Sequence, residues 1–216
     1  MPPERSQIWQ VAAIGVAVVL LWNTPIVWPL KEIVVFFHEL SHGLMAIITG
    51  GRLENIQIVL NEGGLTTSSG GNQFLIASAG YLGSLLWGIG ILMLASQSRN
   101  DAALVRGLGI LMVAVTILFL RNPFGFFFGL MTGALLIAGA RRLPDRVNDL
   151  LLKTIGIVSC VYVIPDIWSD TIAHAAYPSD ARILAQLTHI PTMVWGVLWI
   201  AVSVTALIWA FRRLCL

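Results

Sequence analysis

The stretch VVFFHELSHGLMAII, Val34 to Ile48, decides how this chain is read. Most of it is what a lipid-buried helix contains: Val, Phe, Leu, Met and Ile. Set into it are His38, Glu39 and His42. An ionisable side chain at membrane depth costs at least about a few kcal/mol, so something must offset three of them in five residues. The four-residue spacing of His38 and His42 puts both imidazoles on one helix face, one turn apart. Two such nitrogens can hold one Zn²⁺ at about 2.0–2.1 Å each. Glu39, next to the first of them, can reach an open position on that ion and take a proton from water, which is the H-E-x-x-H arrangement of zinc peptidases. The plainer account, three satisfied core polar groups, needs a separate partner for each in a low-dielectric setting, whereas one metal ion accounts for all three.

The rest of the chain agrees with a bilayer setting. Of its 216 residues 57% are hydrophobic and only 11% charged, where a soluble domain carries about 25% charged residues. Mean hydropathy is +0.83, and the apolar runs recur at bilayer-spanning length. The chain is therefore read as one integral, multi-pass membrane domain over residues 1–216. Its net charge of +2 gives no reason to expect a nucleic-acid partner. Two cysteines, Cys160 and Cys215, do not make a disulfide framework. Cys160 lies in an apolar run and reads as a small core residue. No small-residue cleavage site follows the first run, Ile8 to Trp22, so it is read as a retained helix rather than a cleaved signal peptide.

Apolar runs, glycines and prolines predict an all-α polytopic fold. About six to seven transmembrane helices are expected, at 7–22, 30–50, 74–96, 102–120, 125–140, 149–172 and 191–211, with a short helix before the last, capped near Pro178 to Asp180. Residues 51–73 differ: RLENIQIVL is rich in β-branched residues, NEGG is a turn signal, and LTTSS can return, which together predict a short re-entrant β-hairpin-like loop. If the helices alternate in direction, Lys31, Arg99, Arg106, Arg141, Arg142, Arg146, Lys153, Arg212 and Arg213 fall on one side of the membrane. Arg5, Arg52, Arg121 and Arg182 then fall on the other, and the excess of Lys and Arg marks the first side as cytosolic.

A catalytic zinc site needs a third protein ligand. CVYVIPDIWSDTIAHAAY, Cys160 to Tyr177, places Asp166, Asp170 and His174 at i, i+4 and i+8 on one helix face. Pro165 loosens the helix just before Asp166. Asp166 sits inside the apolar run and is the first choice of ligand. Asp170, one turn nearer the helix end, is the alternative, and with His174 it is otherwise suited to orient a ligating histidine. Glu54, Glu62 and Asp145 read as ordinary loop charges.

Phe36 to Ile58, FFHELSHGLMAIITGGRLENIQI, resembles the site-2 protease family of intramembrane zinc metallopeptidases, and in more detail a small branch of it. GGLTT at Gly63–Thr67, AGYLGS at Ala79–Ser84, YVIPDIWSD at Tyr162–Asp170 and SDARILAQLTHIPTMVWGVLW at Ser179–Trp199 carry the likeness further, so that it covers most of residues 24–200. The resemblance implies a zinc held by His38, His42 and an aspartate, with Glu39 as general base, and cleavage of a peptide bond within a membrane-embedded protein substrate. Better-known members supply the third ligand from a Leu-Asp-Gly motif, which this chain lacks. Pro165-Asp166-Ile167 is its nearest counterpart, and Asp170 competes with it. In those members the loop after the motif helix faces the cytosol, opposite to the side on which the Lys and Arg count puts it here. A helical peptide bond is shielded from attack, so the 51–73 loop, with Gly63, Gly64, Leu65 and Thr66, is expected to hold the substrate as an extended strand. The competing function is an inactive zinc-binding scaffold of the same fold. Glu39 separates the two, since binding alone has no need of a base beside the ligand.

Overall fold

The computed structural model describes residues 5–98, 100–173 and 179–215. Among them the chain forms eight α-helices and one two-stranded sheet: α1 Arg5–Leu20, α2 Trp28–Ile48, β1 Arg52–Val59, β2 Gly63–Ser69, α3 Gln73–Gln97, α4 Asp101–Phe119, α5 Pro123–Arg142, α6 Asp145–Trp168, α7 Asp180–Thr188 and α8 Thr192–Cys215. Five of the helices, α3, α4, α5, α6 and α8, are long and apolar enough to cross a bilayer. The all-α polytopic architecture and its hairpin are thus present as expected.

The first two helices depart from simple alternation. Gln10 reaches Asp149 at 3.4 Å and accepts from Lys153 at 3.2 Å, while Trp22 packs on Tyr162 with ring centroids 6.0 Å apart. Hence α1 runs beside α6 in the same direction. The α2 helix keeps that direction: Lys31 pairs with Glu62, whose carbonyl accepts from Tyr162, and further along His38 faces Asp166. The prolines of NTPIVWP do not reverse the chain, because the bonds from Leu21 to Lys31 form a run of successive turns. The apolar part of α1, Trp9–Leu20, is about 18 Å long at 1.5 Å per residue, short of the ~30 Å hydrocarbon layer. α1 and α2 therefore follow one another in one direction rather than forming two opposed crossings.

Helices α2, α3 and α6 form the inner layer. Small residues on α3 let its neighbours approach: Gly80 lies against His38, Gly83 against Ser41, and Gly88 against Gly156 and Cys160. Cys160 is buried in that contact. Phe37 and Trp87 stack at 5.2 Å. The α4–α5 hairpin, closed through Gly109 against Gly133 and Gly129 against Thr116, lies outside this core. α6 passes through Pro165 without ending and then widens into a π-helical turn, Ser169–Ala173. α7 is capped by Ser179, whose hydroxyl accepts from the Arg182 amide at 3.3 Å; Pro178 and His174 lie outside the described residues.

α2 stops where Gly50 takes φ 87°, a left-handed conformation that suits glycine. The chain then folds back along α2 as the hairpin. β1 and β2 are antiparallel in the register Ile56 with Thr66 and Ile58 with Gly64, with an irregularity between Leu53 and Asn55. The outer edge of β1 is closed by the α4–α5 corner. The Arg121 amide donates to Ile56 O at 3.1 Å, and the Asn122 side chain takes both backbone groups of Ile58. Those groups point away from β2, so Ile56–Thr66 and Ile58–Gly64 are the pairs that do not exchange hydrogen bonds. The backbone groups of Gly64 and Thr66 accordingly face outward, on an edge that no other strand among the described residues occupies.

Candidate metal centre

Helices α2, α3, α6 and α7 and strand β2 meet around a cavity of about 790 Å³. The sequence-predicted residues His38, Glu39, His42, Gly63, Gly64, Leu65, Thr66, Asp166 and Asp170 all line it. So does Asp180, the first residue of α7, which the sequence offers only as part of a cap signal.

The two imidazoles lie one above the other with ring centroids 4.8 Å apart. His42 Nδ1 is 2.7 Å from the Ile76 carbonyl oxygen and so donates to it. That hydrogen bond fixes the tautomer and leaves Nε2 as a lone-pair donor, the usual arrangement of a metal-ligating histidine. Asp180 Oδ2 lies 3.1 Å from His38 Nε2 and 3.2 Å from His42 Nε2. Ligand atoms of a tetrahedral site with ~2.0–2.1 Å bonds are about 3.3 Å apart, close to both of these separations, and the ligand atoms of the three residues all lie within 4.8 Å of one another. Among the described residues, His38, His42 and Asp180 form the group whose atoms could hold a metal ion. Two imidazoles and one carboxylate also suit zinc chemically.

Asp166 is placed differently. Its Oδ2 lies 3.8 Å from His38 Nδ1, behind the ring rather than in front of it. Asp170 is further removed: it accepts from the Tyr81 hydroxyl at 2.5 Å, and the Tyr81 ring stands edge-on to His38 at 5.1 Å. Gly80 explains part of AGYLGS. A methyl group on its Cα would run into His38 Nε2 and Asp180 Oδ2, so no larger residue fits without displacing both.

Glu39 projects to the other side, toward the hairpin. Thr66 Oγ1 lies 2.7 Å from Glu39 Oε2 and 2.9 Å from the Glu39 carbonyl oxygen. Gly64 passes so close that a methyl group there would meet Glu39 Oε1. The carboxylate is thus held through one oxygen while the other remains at the cavity wall, beside the outward edge of β2. The turn that aims this edge is itself fastened. Glu62 sits at φ 61°; its amide donates to the buried Glu32 at 3.2 Å, and its carboxylate pairs with Lys31 at 3.1 Å. Such a conformation in a residue other than glycine persists only where its surroundings hold it.

A family model described as Peptidase M50B-like matches residues 11–210. The chain belongs to that family. Neither a curated protein nor a solved structure matches it. Peptidase M50B-like chains belong to the site-2 protease family of zinc-dependent metallopeptidases, which are integral membrane proteins. The five long apolar helices of this member agree with that setting. The remaining sequence expectation, His174 as a group that orients a histidine, lies outside the described residues.

Proposed function

We propose that this M50B-like protein is a zinc-dependent intramembrane endopeptidase. His38, His42 and Asp180 hold the ion, and Glu39 acts as the general base. The observation that carries this reading is Asp180 Oδ2 within 3.1 and 3.2 Å of His38 Nε2 and His42 Nε2, beside a carboxylate held through its other oxygen. Zinc in such a site supplies a Lewis acid that polarises a carbonyl and makes water more acidic. Glu39 accepts the water proton at Oε1 and returns it to the leaving amine, while Thr66 keeps Oε2 occupied. The outward backbone groups of Gly64 and Thr66 pair with the substrate as an extended strand, which exposes its peptide carbonyl. Asp166 sits behind His38 at the nitrogen opposite Asp180 and orients the ring. Asp166 as third ligand, the assignment the sequence favoured, would require His38 to offer Nδ1 in place of Nε2.

The test is metal analysis joined to a cleavage assay on detergent-purified protein with a membrane-spanning substrate. Wild type should carry about one zinc per chain, and His38→Ala and His42→Ala should lose it. Glu39→Gln should keep the zinc while cleavage falls by about 10²–10⁴-fold, the usual share of a general base. Wild-type cleavage by Glu39→Gln would remove this residue from the mechanism, and full zinc in both histidine variants would remove the site.

A further inference from the structure

The two ends of the helix bundle differ in charge, and the end opposite the metal centre is the basic one. α5 packs antiparallel on α4, which brings Arg141 and Arg142 beside the start of α4. α6 begins there as well, with Arg146. α8 runs alongside α3, since Phe74 meets Trp195 and Tyr81 meets Trp199, so Arg212 and Arg213 arrive at the same end. With Arg106 in the second turn of α4, six exposed arginines gather there, whereas the described exposed arginines at the metal-centre end are Arg52, Arg121 and Arg182. The Arg121 guanidinium folds onto the carbonyls of Ile117, Leu118 and Leu120 at the end of α4. The exposed Trp9 and Trp209, the latter under Arg213 at 5.8 Å, mark the bilayer boundary on the basic side.

We infer that the arginine-rich end lies against the anionic phospholipid headgroups of the cytosolic leaflet, so that the metal centre, with its hairpin and α7, opens from the non-cytosolic side. Lys and Arg near the ends of spans are retained on the cytosolic side and are attracted by its negative surface potential. The common direction of α1 and α2 is consistent with this, because it leaves the start of α1 and the end of α8 both at the basic end. The inference goes beyond the peptidase reading and does not depend on it. Joined to that reading, it means that a substrate is engaged from the non-cytosolic leaflet, the reverse of what the site-2 protease resemblance implies for the loop after the motif helix.

The experiment is cysteine accessibility in intact cells, in a Cys160→Ala, Cys215→Ser background. Gln186→Cys, exposed on α7, should react with a membrane-impermeant maleimide before permeabilisation, and Asp145→Cys, exposed at the start of α6, only after it. A fluorescent protein that matures only in the cytosol, fused after Leu216 of the otherwise unaltered chain, should be bright, a readout that needs no substitution. Changing Arg141, Arg142 and Arg146 together to Glu should protect a fraction of Gln186→Cys by inverting it. Labelling of Asp145→Cys alone in intact cells, or a dark fusion, overturns the orientation. An unchanged labelling pattern in the triple-Glu protein overturns the role of the arginines. Neither result bears on zinc content, so this inference and the peptidase reading fail separately.

Discussion

Two aspartates stand beside the histidines as candidates for the proposed ion's third ligand, and the difference between them is which imidazole nitrogen each meets. His42 has committed Nδ1 to the Ile76 carbonyl, so only its Nε2 is available, and Asp180 is the carboxylate that meets both Nε2 atoms. Asp180→Ala should therefore weaken zinc by well over 100-fold. Asp166→Ala, which removes an orienting group, should weaken it by about 10–100-fold. Asp170→Ala should act less, because Asp170 bonds to Tyr81, whose ring stands edge-on to His38. Zinc titration of the three variants against a competing chelator gives the order, and a larger loss for Asp166 than for Asp180 would return the ligand role to Asp166. The spacing of the two histidines was legible in the sequence because both lie on one helix. Asp180 was not: it is separated from His38 by 142 positions, and an acid after Ser179 reads as an ordinary helix start. The cap is in fact made by Ser179, which leaves the Asp180 carboxylate free for the histidines.

At the scale of the element, the hairpin joins Glu39, the proposed base, to the proposed substrate edge. Gly63 and Gly64 were legible as a turn signal and did become the start of β2. Gly64 has a second reason to lack a side chain, the closeness of Glu39. Gly64→Ala should push the Glu39 carboxylate aside, lower cleavage by about 10²-fold or more within the range of general-base effects, and leave zinc content unchanged. Equal loss of zinc and cleavage would make the glycine a structural residue of the centre as a whole. Which edge of the hairpin is open could not be read from its strand pattern, because β1 and β2 are similar in length. The Asn122 side chain settles it by occupying Ile58, an interaction across 64 positions.

For the whole molecule, the proposed ion would tie a short outer helix to the inner core. α7 has nine residues, too few to be stable alone. It is held by packing on α3 and α8 and by Asp180 against the histidines of α2. Removing zinc with a chelator should raise amide hydrogen exchange in α7 and in the 51–73 hairpin, with little change in the α4–α5 pair. It should also lower the Tm in detergent, since a ligand that binds only the folded state stabilises it by about 4 kcal/mol at a thousandfold excess over Kd. Uniform exchange with and without chelator would mean that α7 docks independently of the ion.

What the sequence determined by itself was whatever depends on local period and local chemistry. The apolar runs set the helices, H-E-x-x-H set two imidazoles on one helix face with a carboxylate next to the first, and the β-branched stretch with its glycines set the hairpin. These features are written within a few residues of one another, where helix and strand geometry is regular. The tertiary structure decided the rest, because each remaining point depends on contacts between distant segments. α1 keeps the direction of α2 because it packs on α6 through Gln10, Asp149 and Lys153. The carboxylate that faces both histidines is the one α7 carries in, since Gly80 leaves room for it between α3 and His38. The open strand is β2, because Asn122 fills the edge of its partner. A pattern along one helix fixes which face a side chain takes, and only packing fixes what stands opposite that face.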